Sequence, residues 1–375
     1  MVPALANLRV LDFSRILAGP FATMQLADLG ATVTKVERPG TGDDTRTWKP
    51  PHDDRGQATY FQAVNRNKST IVLDLSDPAD RARAREMAVT ADVVVENFRP
   101  GLMADFGLDY DQLQPENPGL IYCSITGFGR GPGAGLPGYD LLIQALGGLM
   151  SVTGAPDAEP QKVGVALVDV LAGLFATTGI LAALHHRTAT GEGQRLDIDL
   201  LSCLLAGLVN QASAYTSAGV VPTRMGNQHP SIAPYELLTC ADGELVLAVG
   251  NDRQFSSLCE VLGEPELATS QRFSTNTSRV RNRVELRADL ERLLAARTAA
   301  EWTDQLAEAR VPAGVVNDIA AAFALAEKLG LQPTVEVPRA DGSTVSLCRS
   351  PLNLSVTPPV YRSAPPDLPT TTSER

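Results

Sequence analysis

Residues Leu8–Gly40 read LRVLDFSRILAGPFATMQLADLGATVTKVERPG, and this stretch decides the fold. Its first apolar run, Leu8–Phe13, predicts a strand, and Phe21–Leu29 predicts a short amphipathic helix that ends at Gly30. Thr32–Glu37 then predicts a second strand. A strand, a helix and a strand at this spacing form a βαβ unit, which indicates a mostly parallel sheet.

The next hundred residues continue the same alternation. Thr70–Leu73 predicts a third strand, and Asp77–Thr90 predicts a helix, because Asp followed by Pro is a common helix start. The β-branched run in Ala91–Glu96 and the apolar run in Gly119–Ile125 predict two more strands. We therefore expect an α/β fold with a mostly parallel sheet.

The composition of the sequence changes near residue 220, where VVPTRMGNQHPSIAPY is rich in turn residues. We expect a boundary there, with residues 1–220 in a large domain and residues 221–330 in a smaller α+β domain. Residues 331–375 form a C-terminal segment that begins with a predicted hairpin, Thr334–Leu347, whose turn is Asp341-Gly342. The Pro-rich end of this segment is either extended against the surface or disordered.

Composition excludes several kinds of partner. The 375 residues carry a formal net charge of -11, and an acidic surface repels nucleic acid and anionic membranes. No run reaches the roughly 18 apolar residues of a membrane span, and the N-terminus lacks a signal-peptide pattern. Five cysteines without a CxxC pair and four scattered histidines predict reduced thiols and no metal site. We expect a cytoplasmic protein.

The sequence lacks the glycine patterns of common nucleotide-binding loops. SRILAGPFAT, which follows the first strand, contains one glycine, and no GxxxxGK[ST] motif occurs. Basic residues instead follow three predicted strands: Arg15, Arg38 and Arg99. Loops after parallel strands gather at one edge of a sheet, so these arginines are either a polyphosphate site or solvated surface charge.

Asp169 lies where an extended apolar segment ends and a helix begins, in KVGVALVDVLAGLFATTGILAALHHR. One interpretation is an N-cap, because Asp accepts hydrogen bonds from the first free N–H groups of a helix. The other is a nucleophile, because the helix dipole keeps a carboxylate ionised there and an ionised carboxylate can attack a thioester. The two interpretations are compatible.

Two other segments also have a structural and a functional interpretation. Tyr139 and Asp140, in PGYDLLIQA, are either a buried tyrosine and a capping residue at a helix start or part of a thioester site. Gly250–Gln254, GNDRQ, is either an ordinary turn or a mobile lid.

Six strings of this sequence resemble the class III CoA-transferases, the formyl-CoA and carnitine CoA-transferase type. They are Leu8–Gly40, NRNKSTIVLDL, ADVVVENFRPG, YCSITGFG, GYDLLIQALGGLM and GVALVDVLAGLFATTGILAAL, in this order. The resemblance covers residues 8–215 closely and continues through GNQHPSIAPY. It implies a Rossmann-like large domain, a small domain, a C-terminal segment that returns to the large domain, and two chains interlocked as a homodimer.

The resemblance also implies roles for individual residues. The family's catalytic aspartate falls on Asp169. Its CoA contacts fall on Ala18, Arg38, Leu73, Asn97, Phe98 and Tyr139. Arg15 and Arg99, from the strand-end pattern, complete the expected CoA-binding set. CoA thioesters are then substrates, and no permanently bound cofactor is expected.

Departures from the family pattern bear on the reaction. Leu17 replaces a glutamine of the formyl-CoA transferases, GNDRQ replaces their glycine run, and Asp105 replaces a basic CoA contact of some members. Tyr139 occupies the position of the histidine that the related α-methylacyl-CoA racemases use for proton exchange. Tyrosine, with a pKa of about 10, is a poor base at neutral pH. We therefore expect a transferase rather than a racemase.

ERPGTGDDTRTW, NRNKS, IYCSITG and GNDRQF are most similar to the succinyl-CoA:dicarboxylate branch of the family. A dicarboxylic acceptor has a second carboxylate that needs a cation, so Arg46 and Arg224 are either its partners or surface charges. Gly250 and Gln254 complete the predicted substrate site, since N–H groups there would stabilise an oxyanion. The expected reaction moves CoA from succinyl-CoA to a carboxylic acid through an aspartyl intermediate. The alternatives are α-methylacyl-CoA epimerisation and CoA binding without catalysis.

Overall fold

The predicted βαβ unit forms in the computed structural model, which describes residues 2–369. Strand β1 is Arg9–Asp12, helix α1 is Ala18–Asp28 and strand β2 is Thr32–Glu37. The helix begins earlier than predicted because Pro20 falls in its first turn, where a missing N–H is tolerated. Gly30 follows the helix with a φ of +109°, a conformation that glycine adopts without strain.

Four further strands complete a six-stranded sheet: β3 (Lys68–Val72), β4 (Val93–Glu96), β5 (Ile121–Thr126) and β6 (Gln194–Asp199). Their order is β3-β2-β1-β4-β5-β6, and every neighbouring pair is parallel. This confirms the predicted α/β class. Because β1 lies between β2 and β4, the crossover direction reverses beside it and a crevice opens at the carboxyl edge of the sheet.

Two apolar cores lie on the two faces of this sheet. Val93 and Val95 of β4 belong to one core, and Val94 belongs to the other, as the two-residue period of a strand requires. The other helices up to residue 220 are α2 (Thr59–Gln62), α3 (Pro78–Thr90), α4 (Leu102–Asp105), α5 (Tyr110–Leu113), α6 (Asp140–Leu146), α7 (Leu149–Val152), α8 (Leu167–Thr190), α9 (Leu200–Gly207) and α10 (Val209–Ala218).

The 24-residue helix α8 packs on α1 through one stripe of small and apolar side chains. Val168, Ala172, Ala176 and Ile180, each four residues apart, are buried in the core of this face. Gly173 permits the close approach, since a Cβ there would lie 2.8 Å from the carbonyl oxygen of Ala18. Within residues 2–369, α8 alone has the length and composition of a membrane span, but its buried stripe is part of this core.

A second unit with its own core consists of Met150–Gln161 and Val221–Leu331, so it includes a segment that the predicted boundaries omitted. Its antiparallel sheet contains β7 (Tyr235–Thr239), β8 (Glu244–Ala248) and β9 (Ala313–Val315). Its helices are α11 (Asp252–Val261), α12 (Glu266–Thr269), α13 (Asn276–Arg281), α14 (Arg283–Leu294), α15 (Ala299–Glu308) and α16 (Ile319–Lys328).

The C-terminal segment belongs to the first unit. It begins with the predicted hairpin, β10 (Thr334–Pro338) and β11 (Thr344–Cys348). Residues 349–369 then run without regular structure but are bonded to the end of α1 and the turn after it: the guanidinium of Arg362 donates to the carbonyls of Ala27, Gly30 and Ala31. Of the two predicted alternatives for the Pro-rich end, the extended one holds as far as residue 369. The rest of the predicted segment, residues 370–375, lies outside the described residues.

Candidate active site

A cavity of about 600 Å³ opens at the carboxyl edge of the parallel sheet. The loops after β1 and β4 contribute residues 15–18 and 97–100, and β5 with its following loop contributes 125–129 and 133–140. The first turn of α8 contributes Asp169. This volume is typical of a small-molecule site, and this edge is where open parallel sheets bind ligands.

A second cavity of about 300 Å³ shares Arg15 and Phe98 with the first. Arg38, which follows β2, and Leu73, which follows β3, lie in its wall. Because they share lining residues, the two cavities can hold the two ends of one elongated ligand.

The structure brings the predicted CoA-binding residues together at this edge. The larger cavity is lined by Arg15, Ala18, Asn97, Phe98, Arg99 and Tyr139 as well as by Asp169. The smaller one is lined by Arg38 and Leu73, again with Arg15 and Phe98. Tyr139 is 62% exposed, so the interpretation of it as a buried tyrosine is wrong.

The cap of helix α8 is Asp140, not Asp169. The side chain of Asp140 accepts hydrogen bonds from the N–H groups of Val168, at 2.8 Å, and of Asp169, at 3.3 Å. These are the second and third residues of α8, and the residue at the N-cap position, Ala166, has no capping side chain. Asp140, the first residue of α6, thus caps α8, and the Asp169 carboxylate is free of a capping role.

The protonation of Asp169 differs from the expectation. Burial raises the pKa of Asp169 to about 7, and the nearby carboxylate of Asp140 adds to the rise. Such a rise corresponds to ~4 kcal/mol against the charged form, whereas a helix dipole offers ~1 kcal/mol in its favour. Burial therefore outweighs the dipole, and the carboxyl group exchanges its proton near neutral pH rather than staying ionised.

Two side chains beside this carboxylate pair were absent from the predicted set. The fully buried amide of Gln144 donates to Asp140 Oδ2 at 2.6 Å and accepts from the N–H of Val163 at 2.9 Å. The pKa of the Tyr60 phenol is raised by burial and then by the carboxylates of Asp169 and Asp140, which places Tyr60 near both. The four-residue spacing of Asp140 and Gln144 on one helix was a usable signal for the first contact.

Asp44 lies between two of the predicted phosphate-binding arginines. It forms an ion pair with Arg38, and its Oδ2 atom lies 3.6 Å from Nη1 of Arg15. Arg99 lies 3.7 Å from Asp105, with both side chains mostly exposed. Each of these carboxylates offsets the positive charge of its arginine.

Asn97 has its amide occupied. Its Oδ1 atom accepts from the N–H of Arg15 and its Nδ2 atom donates to the carbonyl of Arg15, both at 2.8 Å. Its two polar atoms therefore hold the loop after β1.

Of the predicted substrate residues, Arg46 is bonded within the fold. Its Nε and Nη2 atoms donate to Glu37 at 2.7 Å each, and its guanidinium stacks on Phe61. It lines neither cavity.

The other predicted substrate residues lie in the second unit. The N–H of Gly250 donates to the Gln254 side chain at 2.9 Å, at the start of α11, so this segment is an ordered turn. Arg224 makes two long hydrogen bonds, of 3.2 and 3.4 Å, to the carbonyls of Ala155 and Pro156.

Known proteins are similar to this chain over most of its length. The succinate–glutarate CoA-transferase of Agrobacterium fabrum is 43% identical over 98% of this chain and 93% of its own. The acetyl-CoA:oxalate CoA-transferase of Acetobacter aceti is 45% identical over 84% of this chain and 81% of its own.

A solved structure and a family model extend this similarity to the whole fold. The crystal structure of a CaiB/BaiF family protein from Brucella suis matches with a TM-score of 0.87 and 44% identity. The match covers 99% of this chain and 97% of that one. The model of CoA-transferase family III matches residues 5–372. The chain therefore belongs to CoA-transferase family III.

Proposed function

We propose that the protein transfers CoA from succinyl-CoA to a second dicarboxylic acid, with Asp169 as the covalent nucleophile. The observation that carries the proposal is the Asp169 carboxylate, half-buried in the wall of a cavity that strand-end loops form. The substrate class is supported by the similarity to the Agrobacterium relative, which is named a succinate–glutarate CoA-transferase.

The first half of the reaction uses the donor. A carboxylate oxygen of Asp169 attacks the thioester carbonyl carbon of succinyl-CoA, the C–S bond breaks, and CoA leaves as a thiolate. The product is a mixed anhydride of Asp169 and succinate. The thiolate then attacks the aspartyl carbonyl carbon, which releases succinate and leaves CoA as a thioester on Asp169.

The second half repeats these steps in reverse order. The acceptor carboxylate attacks the aspartyl thioester, the thiolate leaves, and a new anhydride joins the acceptor to Asp169. The thiolate then attacks the acceptor's carbonyl carbon. This step forms the product acyl-CoA and returns Asp169 as a carboxylate, so no proton or electron is gained or lost overall.

The surroundings of Asp169 suit this chemistry. A half-buried carboxylate has lost part of its hydration, which favours its attack on a carbonyl carbon. With a pKa of about 7, a substantial fraction of Asp169 is ionised at neutral pH.

The predicted CoA-binding residues have matching chemistry. Arg15, Arg38 and Arg99 supply cations for the CoA phosphates in a chain whose net charge is -11. Ala18, Leu73 and Phe98 supply apolar contacts, and Tyr139 lies in the wall near the thioester. CoA thioesters act as substrates, and no permanently bound cofactor takes part.

For the acceptor we propose residues of the second unit. A substrate oxyanion that binds the N–H of Gly250 would displace the side chain of Gln254, which now accepts from it. Arg224, whose hydrogen bonds are long, is the proposed partner of the acceptor's second carboxylate. Arg46 is not free for this role, because Glu37 and Phe61 hold its guanidinium.

We also propose that two copies form a homodimer, as the resemblance to class III CoA-transferases implies. Helix α16 reads IAAAFALAEK, yet none of its side chains is buried. An exposed apolar surface of this kind marks a protein contact. Analytical ultracentrifugation at micromolar concentration tests this, and a monomer would contradict it.

We place the protein in the cytoplasm. All five cysteines are free, and four of them are buried, as expected in a compartment that keeps thiols reduced.

The decisive experiment is to trap the aspartyl intermediate. The protein is incubated with succinyl-CoA and then with hydroxylamine, which converts an activated aspartyl group to the hydroxamate, and the peptides are analysed by mass spectrometry. We expect the hydroxamate mass on the peptide that contains Asp169. The same treatment of Asp169→Asn, and of the wild type without acyl-CoA, should give no hydroxamate. Asp197→Asn, which alters a more exposed carboxylate on β6, should behave as the wild type.

Other outcomes have distinct meanings. A hydroxamate with acetyl-CoA but not with succinyl-CoA would mean that acetyl-CoA is the donor, as in the name of the Acetobacter relative. No hydroxamate with any acyl-CoA, together with deuterium exchange at the α-carbon of an α-methylacyl-CoA, would contradict the transferase proposal and support the epimerase alternative.

A further inference from the structure

The loop between β1 and α1 contains a strained residue. Ile16 has a φ of +70°. A β-branched side chain rarely adopts this left-handed conformation, which persists only where the surroundings impose it. Ile16 lines the larger cavity together with Arg15, Leu17 and Ala18. The strain therefore lies in the wall of the proposed thioester site.

One buried ion pair holds the main chain on both sides of Arg15. The N–H of Ile16 donates to the two carboxylate oxygens of Asp43, at 3.3 and 3.2 Å. Lys35 Nζ lies 2.9 Å from Asp43 Oδ2 and donates to the carbonyl of Ser14 at 2.7 Å. The side chains of Asp43 and Lys35 are fully buried.

The orientation of Asp43 does not depend on the loop. Its Oδ1 atom also accepts from the N–H of Thr45, at 3.0 Å, and from the Thr45 hydroxyl, at 2.7 Å. Its own N–H donates to Glu37 at 2.8 Å. The side-chain amide of Asn97 is hydrogen-bonded to the main chain of Arg15. Together these bonds fix the loop at the consecutive residues Ser14, Arg15 and Ile16.

We propose that Asp43, oriented by Lys35, is a positioning residue for CoA binding and transfer, because it holds Ile16 in the left-handed conformation and so sets the loop that lines the cavity. This inference rests on the proposed site at the carboxyl edge of the sheet. Asp43 acts through the loop and does not touch the reacting atoms. A purely structural ion pair would stabilise the fold without changing the affinity of the folded protein for CoA.

The test compares Asp43→Asn with the wild type. Asparagine keeps the size of the side chain but loses the charge that pairs with Lys35. We expect the Kd for coenzyme A, measured by isothermal titration calorimetry, to rise about tenfold and kcat/KM for succinyl-CoA to fall about 10²-fold, since a displacement of about 1 Å suffices. An unchanged Kd for coenzyme A in folded Asp43→Asn would overturn the proposal.

Rescue by a second substitution gives a sharper result. Asparagine tolerates the left-handed conformation better than isoleucine. With Ile16→Asn, the loop therefore depends less on Asp43 to keep this conformation. The double variant Asp43→Asn/Ile16→Asn should recover most of the lost affinity for coenzyme A, and strictly additive losses would overturn the proposal. Arg310→Asn is the matched control, because Arg310 has a φ of +59° in the second unit and its substitution should leave the Kd unchanged.

A third variant covers the case in which Asp43→Asn does not fold. Ile16→Pro leaves the Lys35–Asp43 pair intact, but it fixes φ near about -65° and removes the N–H that Asp43 accepts from. We expect a folded protein with the same about tenfold loss of affinity for coenzyme A, and wild-type affinity would overturn the proposal. If the wild type binds coenzyme A but transfers none, the proposed function fails while these affinities still test Asp43.

Discussion

Asp169, at the start of α8, is a half-buried carboxylate, and Asp43, below the β1–α1 loop, is a fully buried one with opposite properties. Burial raises the pKa of Asp169 to about 7, and Asp140 adds to the rise. Burial opposes ionisation of Asp43 as well, but Lys35 and the hydrogen bonds from Thr45 hold the pKa of Asp43 below its usual value. The partners, rather than burial alone, decide which carboxylate is charged at neutral pH.

The difference corresponds to two uses of the same functional group. A carboxylate that shapes the main chain needs every oxygen bonded, and Asp43 and Asp12 each have lysine and hydroxyl partners. A carboxylate that attacks a substrate needs an accessible oxygen, and Asp169 lies in a cavity wall with another carboxylate as its neighbour.

Loss of the Asp169 carboxylate should have the largest effect. Asp169→Asn removes the nucleophile, so we expect kcat for CoA transfer to fall ~10⁴-fold or more, as for other covalent nucleophiles. Coenzyme A should still bind with a Kd near that of the wild type, because Asp169 is not among its proposed contacts. Retention of more than a few per cent of the activity would show that Asp169 is not the nucleophile.

The same Asp→Asn change should alter stability in opposite directions at the two sites. At pH 8, Asp43→Asn removes the carboxylate that pairs with buried Lys35 at 2.9 Å and should lower the free energy of unfolding by ~3 kcal/mol. Asp169→Asn removes a charge that burial disfavours and should raise it by about 2–4 kcal/mol. Chemical denaturation of both variants measures the two changes in the free energy of unfolding. Changes of the same sign would contradict the contrast between the two carboxylates.

The pH dependence separates the two cases further. Native Asp169 keeps its proton up to about pH 7, while the unfolded chain releases it near 3.8. Stability therefore falls as pH rises from 4 to 7, and the gain from Asp169→Asn should grow over this window and vanish below pH 4. The pKa of Asp43 is lowered, so its contribution is present above pH 3.8 and is lost as pH falls below that value.

The charge of Asp140 should set the pH profile of the reaction. Asp140→Asn keeps an oxygen that can accept from the N–H of Val168, but it removes the negative charge beside Asp169. The pKa of Asp169 should then fall part of the way toward 3.8, because burial remains. Since the ionised form is the nucleophile, the acid limb of kcat/KM should move to lower pH.

A matched control for this shift is Asp199→Asn. Asp199 caps α9 by accepting from the N–H of Ser202 at 2.7 Å, so the variant also removes a capping charge. Its acid limb should stay at the wild-type position. If the limb of Asp140→Asn also stays there, the charge of Asp140 does not act on the nucleophile.

Local patterns predicted the elements that make the fold. The alternation in Leu8–Gly40 and the start signal at Asp77-Pro78 gave strands and helices that the structure contains, because those signals depend on neighbours in the chain. The strands β7 and β9 were missed. β9 has three residues, too few for an apolar period, and β7 follows a turn-rich segment.

The parts of the site that sequence did not predict depend on distant contacts. Asp140 caps a helix that begins more than 25 residues later, and Lys35 bonds the carbonyl of Ser14 from another strand. No local pattern encodes these pairs, since the sheet order brings them together. For the same reason, Asp169 was correctly placed at a helix start but wrongly expected to stay ionised, because its burial comes from the surrounding loops.

The smallest expected effect concerns Asp44, a carboxylate more exposed than its buried neighbour Asp43. Its pairs with Arg15 and Arg38 join side chains that are 32–45% exposed, and such pairs are worth under about 1 kcal/mol. If these arginines bind the phosphates of CoA, Asp44 competes with them. Asp44→Asn should therefore lower the Kd for coenzyme A about two- to fivefold at low salt, and the gain should shrink as salt screens the charges.

The control for this change is Asp111→Asn, which removes an exposed carboxylate that lines neither cavity. It should leave the Kd unchanged at every salt concentration, so that a general change in net charge is separated from a local one. An unchanged or higher Kd in Asp44→Asn would mean that Arg15 and Arg38 do not contact the phosphates. The cations of the CoA site would then be reduced to Arg99.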